Sequence, residues 1–169
     1  MIIKFNDLRR QYESLRNEID SSIKRVNNSG YYLFGDELKS FEEEFASYCN
    51  CKYAIGVANC TDALAISLMA YDIGGGDEVI TSTNTAIPTG MAISQTGAKP
   101  IFIDILKEEQ TMNPELIEEK INKRTKAIIP VHLYGLPSKL DEINNIAGKY
   151  NIKVIEDAAQ ADGSFYKNK

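Results

Sequence analysis

Glu78-Val79-Ile80-Thr81, then Pro88-Thr89-Gly90-Met91-Ala92-Ile93-Ser94-Gln95, then Pro100-Ile101-Phe102-Ile103 decide the fold. Two short apolar runs flank a stretch of helical length. Strands joined through a helix must run parallel, because a crossover of that length returns the chain to the same end of the sheet. The segment therefore predicts a β-α-β unit.

The same rhythm extends on both sides. Further strands are predicted at Tyr53–Val57, Lys126–Val131 and Lys153–Glu156, with helices at Asp62–Tyr71, Pro114–Ile121 and Lys139–Tyr150. Asn113-Pro114 reads as a helix start, with Asn as cap and Pro at the first helical position. Gly74-Gly75-Gly76-Asp77 breaks a helix from a strand. These glycines precede a strand instead of joining strand to helix, so they are not a dinucleotide fingerprint. The expected fold class is α/β, a three-layer sandwich with a mostly parallel sheet covered on both faces.

Toward the N-terminus the period changes. Leu8, Tyr12, Leu15, Ile19, Ile23 and Val26 recur at three- and four-residue steps, one face of a long helix ending near Asn28-Ser29-Gly30. A second helix follows a loop at Tyr31–Gly35, with Leu38, Phe41, Phe45 and Tyr48 on one face. Residues 1–50 are thus expected to form N-terminal helices and residues 51–169 the β-α-β units.

Composition narrows the partners. The chain has 169 residues, 43% hydrophobic and 25% charged, with a net charge of −5. An acidic balance argues against a nucleic-acid backbone binder, although a small site can still be locally positive. No apolar run approaches a membrane span. Met1-Ile2-Ile3-Lys4-Phe5 is charged too early for a secretory signal, so the expected location is cytoplasmic. Cys49, Cys51 and Cys60 form a poor disulfide framework, and with His132 the only histidine, no metal site is expected.

In open α/β sheets ligands bind beyond the carboxyl ends of the strands. After the first predicted strand, Ala58-Asn59-Cys60-Thr61-Asp62 opens a helix whose free N–H groups suit a phosphate. Thr61 or Asn59 equally serves as a simple helix cap. After the last strand, Asp157 either receives a protonated ring nitrogen or caps the next turn. Beside it Ala158 and Ala159 would admit a flat ring. His132 at the end of the fourth strand reads as a hydrogen-bond partner for a cofactor, as a proton relay, or as a structural residue. Thr83-Asn84-Thr85-Ala86-Ile87-Pro88-Thr89 is another polar loop at the same edge.

Together these pieces resemble the DegT/StrS group of sugar aminotransferases, within the fold-type I enzymes that use pyridoxal phosphate (PLP). The matching stretches are Phe5-Asn6-Asp7-Leu8 with Gln11-Tyr12, Ser29-Gly30-Tyr31-Tyr32, and Phe41-Glu42 with Phe45. Thr61-Asp62-Ala63-Leu64, Gly76-Asp77-Glu78-Val79-Ile80 and Gly97-Ala98-Lys99-Pro100 follow. Pro130-Val131-His132-Leu133-Tyr134-Gly135 and Glu156-Asp157-Ala158-Ala159-Gln160 complete the set. Each is weak alone, and their order and spacing across nearly the whole chain carry the resemblance.

The resemblance implies the large domain of an aspartate aminotransferase-like PLP-transferase. It implies that Cys60 and Thr61 hold the cofactor phosphate, that Asp157 partners the pyridine nitrogen, and that Gln160 lies beside the ring hydroxyl. Ala86 stands where the family usually stacks an aromatic residue on the ring, and Cys60 where glycine is more usual. The implied reaction passes an amino group from glutamate to the keto group of a dTDP- or UDP-linked deoxy-sugar. Phe5-Asn6-Asp7-Leu8 leans toward 3-keto over 4-keto substrates. A homodimer is implied for the full-length protein.

The lysine that would form the Schiff base is expected beyond the stretch matching Ser164-Phe165-Tyr166, and Lys167 and Lys169 come too early to be that residue. The chain is accordingly expected to be the N-terminal portion of a longer protein, without the family's small C-terminal domain. The resemblance also implies two later strands between Tyr53–Val57 and the other four. Residues 1–169 alone are thus expected to fold poorly and not to transaminate. Alternatives are a PLP-dependent sugar dehydratase on the same scaffold, with histidine replacing the lysine, and a non-catalytic remnant or binding subunit.

Overall fold

The structure, a computed structural model, describes residues 5–167. The readings placed on Met1–Lys4 and on Lys169 lie outside the described residues. The chain forms two compact units, one up to Gly56 and one from Val57.

In the first unit, α1 spans Leu8–Ser29. Asp7 caps it, its Oδ1 accepting from the Arg10 N–H at 3.2 Å. Gly30 ends it in the left-handed region (φ 71°), donating its N–H to the Val26 carbonyl; that conformation suits glycine because no Cβ opposes it. None of α1's residues is buried. α2 spans Asp36–Tyr48 and carries Asp36 and Glu37 in its first turn, where the helix dipole favours negative charge. Phe41 stacks on Phe45 with centroids 5.5 Å apart. The Glu42 carboxylate accepts from the Gly56 N–H at 2.7 Å and ties the end of the unit to α2.

The second unit holds a four-stranded parallel sheet of order β2-β1-β3-β4. β1 is Glu78–Ser82, β2 Lys99–Ile103, β3 Thr125–Ile129 and β4 Lys153–Val154. α3 (Cys60–Met69), α4 (Ile87–Gln95) and α5 (Leu140–Tyr150) cover it. Alternating strand residues face opposite layers. Val79, Ala127 and Ile129 join Leu64, Leu68, Ala92 and Ile93 of α3 and α4. Ile80, Ile103 and Ile128 join Ile143 and Ala147 of α5 with Met112 and Ile117. Helices on both faces make three layers, the expected α/β class.

Three local expectations need correction. Tyr53–Val57 is not a strand, and Tyr53 and Ile55 stay exposed. A strand exists only through its ladder, and no described residue pairs with this run. Pro114–Ile121 is not an α-helix but two 3₁₀ turns, Pro114–Leu116 and Glu118–Lys120. Bonds three residues apart eclipse Pro114 and Ile117, so both lie buried against the sheet. The Asn113 cap is present, its side chain accepting from the Glu115 N–H.

The third correction concerns strand ends. β3 stops at Ile129 and β4 at Val154, short of the expected Val131 and Glu156. Pro130 has no N–H to give the ladder, so regular pairing lapses there. The two chains stay side by side nonetheless. Ile155 donates to the Ile128 carbonyl, Asp157 to Pro130, and His132 to Asp157.

Candidate active site

That interrupted pairing carries Asp157 past the carboxyl end of the sheet while holding its backbone at both sides. Its side chain is buried, with the residue 6% exposed. A buried carboxylate needs donors, and this one has three. Thr89 Oγ1 donates to Oδ2 at 2.7 Å. The Ala159 N–H donates to Oδ1 at 3.2 Å, and the Cys60 thiol approaches Oδ1 at 3.7 Å. A carboxylate offers about four acceptor positions, so one remains on Oδ2.

Two helix starts converge on this group. Cys60 is the first residue of α3, and Thr89 lies in the first turn of α4. Exposed N–H groups and aligned dipoles at helix N-termini suit an anion. The sequence reading of the Thr83–Thr89 loop did not single out Thr89. Its signal was only a hydroxyl one residue after Pro88 in an apolar helix, and burial against Asp157 is visible only in the fold.

At α3 the structure decides which residue caps. Asn59 Oδ1 accepts from the Asp62 N–H at 2.9 Å, and the Asn59 amide donates to Asp62 Oδ2. Thr61 is not the cap. Its half-buried hydroxyl and the backbone N–H groups of Cys60 and Thr61 find no acceptor among the described residues. Burial, then the charge and hydrogen bonding of Asp157, push the Cys60 thiol above its ordinary value.

The other candidates fall differently. Ala86 is exposed at the start of α4, on the wall of a groove of about 680 Å³ with Thr85, Ile87, Met91 and Phe102. Gln160 accepts from the Tyr134 N–H at 2.9 Å, which leaves its amide NH₂ to donate. Tyr134 sits in the left-handed region (φ 56°) before Gly135. His132 is buried with both ring nitrogens engaged. The Ser138 N–H donates to Nδ1 at 3.1 Å, so the ring proton sits on Nε2, 2.8 Å from Glu156. Its structural reading prevails within this chain. Lys167 pairs with Asp141 of α5.

The arrangement offers an anion seat at the start of α3 and a buried acceptor for a cationic N–H at Asp157. Among the described residues no group of three or more His, Cys, Asp or Glu could hold a metal ion. No described helix is long and apolar enough to cross a membrane.

Comparison with known proteins identifies a family. The sequence profile of the DegT/DnrJ/EryC1/StrS aminotransferase family matches residues 13–169. The dTDP-3-amino-3,6-dideoxy-alpha-D-galactopyranose transaminase of Aneurinibacillus thermoaerophilus is 50% identical over 168 residues, 99% of this chain and 46% of that protein. The UDP-2-acetamido-2-deoxy-3-oxo-D-glucuronate aminotransferase of Pseudomonas aeruginosa is 46% identical over 168 residues, 99% of this chain and 47% of that one. The X-ray structure of S. venezuelae DesV in complex with a ketimine intermediate superposes with a TM-score of 0.97 at 44% identity. The match covers 99% of this chain and 45% of that one. The chain spans about half the length of the relatives it matches.

Proposed function

The chain belongs to the DegT/DnrJ/EryC1/StrS aminotransferase family, and from that premise we propose a specific reaction for the whole protein. It transfers an amino group from glutamate, by way of PLP, to a keto group of a dTDP- or UDP-linked deoxy-sugar. A 3-keto substrate is slightly favoured over a 4-keto one. The relatives described above act on dTDP- and UDP-sugars by name, and both names specify position 3. The observation that carries the reading is the convergence of Cys60 and Thr89 on the buried Asp157.

The residues present fit PLP. The N–H groups of Cys60 and Thr61 and the Thr61 hydroxyl suit a phosphate. Asp157 keeps one acceptor position for a ring N–H, and exposed Ala158 and Ala159 leave room for a flat ring. When bound, PLP supplies an electron sink, provided its ring nitrogen stays protonated. The Asp157 carboxylate would accept that ring N–H and keep the proton on the nitrogen. The Gln160 amide NH₂ would donate beside the ring hydroxyl. Ala86 would give the ring face only a methyl group. The His132 N–H donates to the Asp157 carbonyl, and Ser138, bonded to the His132 ring and the Val131 carbonyl, steadies that side of the pairing.

The lysine that captures the cofactor covalently, the small domain and the dimer partner are proposed to lie outside residues 1–169. The chain by itself is then inactive. The test uses the full-length protein. PLP should produce a visible absorbance band that borohydride removes irreversibly, and glutamate should then aminate a dTDP- or UDP-linked keto-sugar. Absence of both would overturn the reading. Loss of a sugar hydroxyl without amino transfer would replace it with a dehydratase.

A further inference from the structure

A hydroxyl chain stands behind the acid. Thr85 Oγ1 and Thr89 Oγ1 lie 2.7 Å apart, and Thr89 Oγ1 lies 2.7 Å from Asp157 Oδ2. A hydroxyl carries one proton. Thr89 gives its proton to the carboxylate, so Thr85 must be the donor between the two threonines. The order Thr85 to Thr89 to Asp157 is therefore set by counting hydrogens. Thr89 is fully buried, while Thr85 is half-buried on the wall of the groove beside α4.

The chain has a geometric consequence for Asp157. Oδ1 is held by a backbone N–H from its own loop, but Oδ2 is held only by Thr89. Without that hydroxyl the carboxylate is held at Oδ1 alone, by the Ala159 N–H and the Cys60 thiol, and turns more readily about its terminal bond, a torsion with broad minima. The acceptor position left on Oδ2 would then no longer keep one direction. Misplacing a partner by about 1 Å is enough to cost a large factor in rate.

We propose that Thr89, supported by Thr85, is a positioning residue that aims the Asp157 carboxylate at the ring nitrogen of the cofactor. The proposal rests on the PLP reading given above. Thr89 touches neither cofactor nor substrate and acts through Asp157 alone. Its placement in the first turn of α4, fixed by the Ala86 carbonyl and by burial of Ala92 and Ile93, makes the aim rigid.

The test compares Thr89→Val, Thr89→Ser and Thr85→Val in the full-length holoenzyme. Thr89→Val keeps the shape and removes the hydroxyl. It should weaken PLP binding and lower kcat roughly tenfold each, the scale of one hydrogen bond to a charged group. KM for the sugar should stay unchanged, and the cofactor absorbance band should shift. Thr89→Ser should restore all of these. Thr85→Val, away from the core, should move them in the same direction by less.

Melting temperature is read with and without PLP. A purely structural role lowers both by the same amount, whereas positioning shrinks the difference between them. An unchanged difference, with an unshifted band in Thr89→Val, overturns the proposal. Should Thr89→Val fail to fold, an unshifted band and full kcat in Thr85→Val overturn it equally. A wild-type protein that gives no cofactor band at all would instead sink the underlying PLP reading.

Discussion

Cys60 Sγ lies 3.7 Å from Asp157 Oδ1, so the first residue of α3 rests against the carboxylate of a residue 97 positions later. Burial first, and then the charge and hydrogen bond of Asp157, raise the thiol above its ordinary value. The thiolate is the reactive form. At mildly alkaline pH iodoacetamide should therefore modify Cys60 more slowly than exposed Cys51. Asp157→Asn removes the negative charge and should speed Cys60 alkylation while leaving Cys51 unchanged. Peptide mass spectrometry over time reads both rates, and equal rates at Cys60 and Cys51 in the wild type would refute the arrangement.

Asp157 itself should govern chemistry more than folding. In the full-length protein, Asp157→Ala is expected to cut amino transfer from glutamate on the order of a hundredfold, the usual scale for losing one charge-stabilising group. Steady-state kinetics beside a circular dichroism spectrum separate the two effects. Near-normal turnover in a folded variant would end the assignment.

Thr61→Val is a clean probe because Asn59, not Thr61, caps α3. The substitution removes one hydroxyl and leaves the backbone N–H groups in place. PLP affinity in the full-length protein should fall by about 1–2 kcal/mol, the scale of one hydrogen bond. Absorbance titration measures it. Unchanged affinity would move the phosphate away from this turn.

Glu78 predicts an acid limb in stability. The Asn122 amide at 2.7 Å, then Arg124 at 2.6 Å, hold its carboxyl below the usual range. A depressed folded value contributes stability above the unfolded carboxylate value of about 4 and loses it as pH falls through the folded value. Thermal melts of wild type and Glu78→Gln should differ near neutral pH and converge in acid. Parallel curves across that range would contradict the pairing.

Much of this was legible in local pattern. The Glu78–Ile103 unit reads as strand, helix and strand because its apolar runs are short and its middle is helical in length, and β1, α4 and β2 occupy it. Gly30 ended α1 where a residue free of Cβ was needed. Tyr53–Val57 misled because a short apolar run describes suitability for a ladder without supplying the partner strand. Pro114–Ile121 misled because i,i+3 and i,i+4 spacing cannot be told apart over two turns.

The sequence by itself determined the α/β class, the strand-end position of Asp157 and the family resemblance. Each depends on residues close together along the chain, where periodicity and turn chemistry act directly. Only the tertiary structure decided what surrounds Asp157. Cys60, Thr89 and Ala159 reach it from two helix starts and its own loop. Two of these donors lie far from Asp157 along the chain, and only packing α3 and α4 on one face of the sheet brings them to the carboxylate. A hydroxyl in an apolar helix shows no local sign of its partner. The partner appears only once burial removes water and obliges the hydroxyl and the carboxylate to satisfy each other.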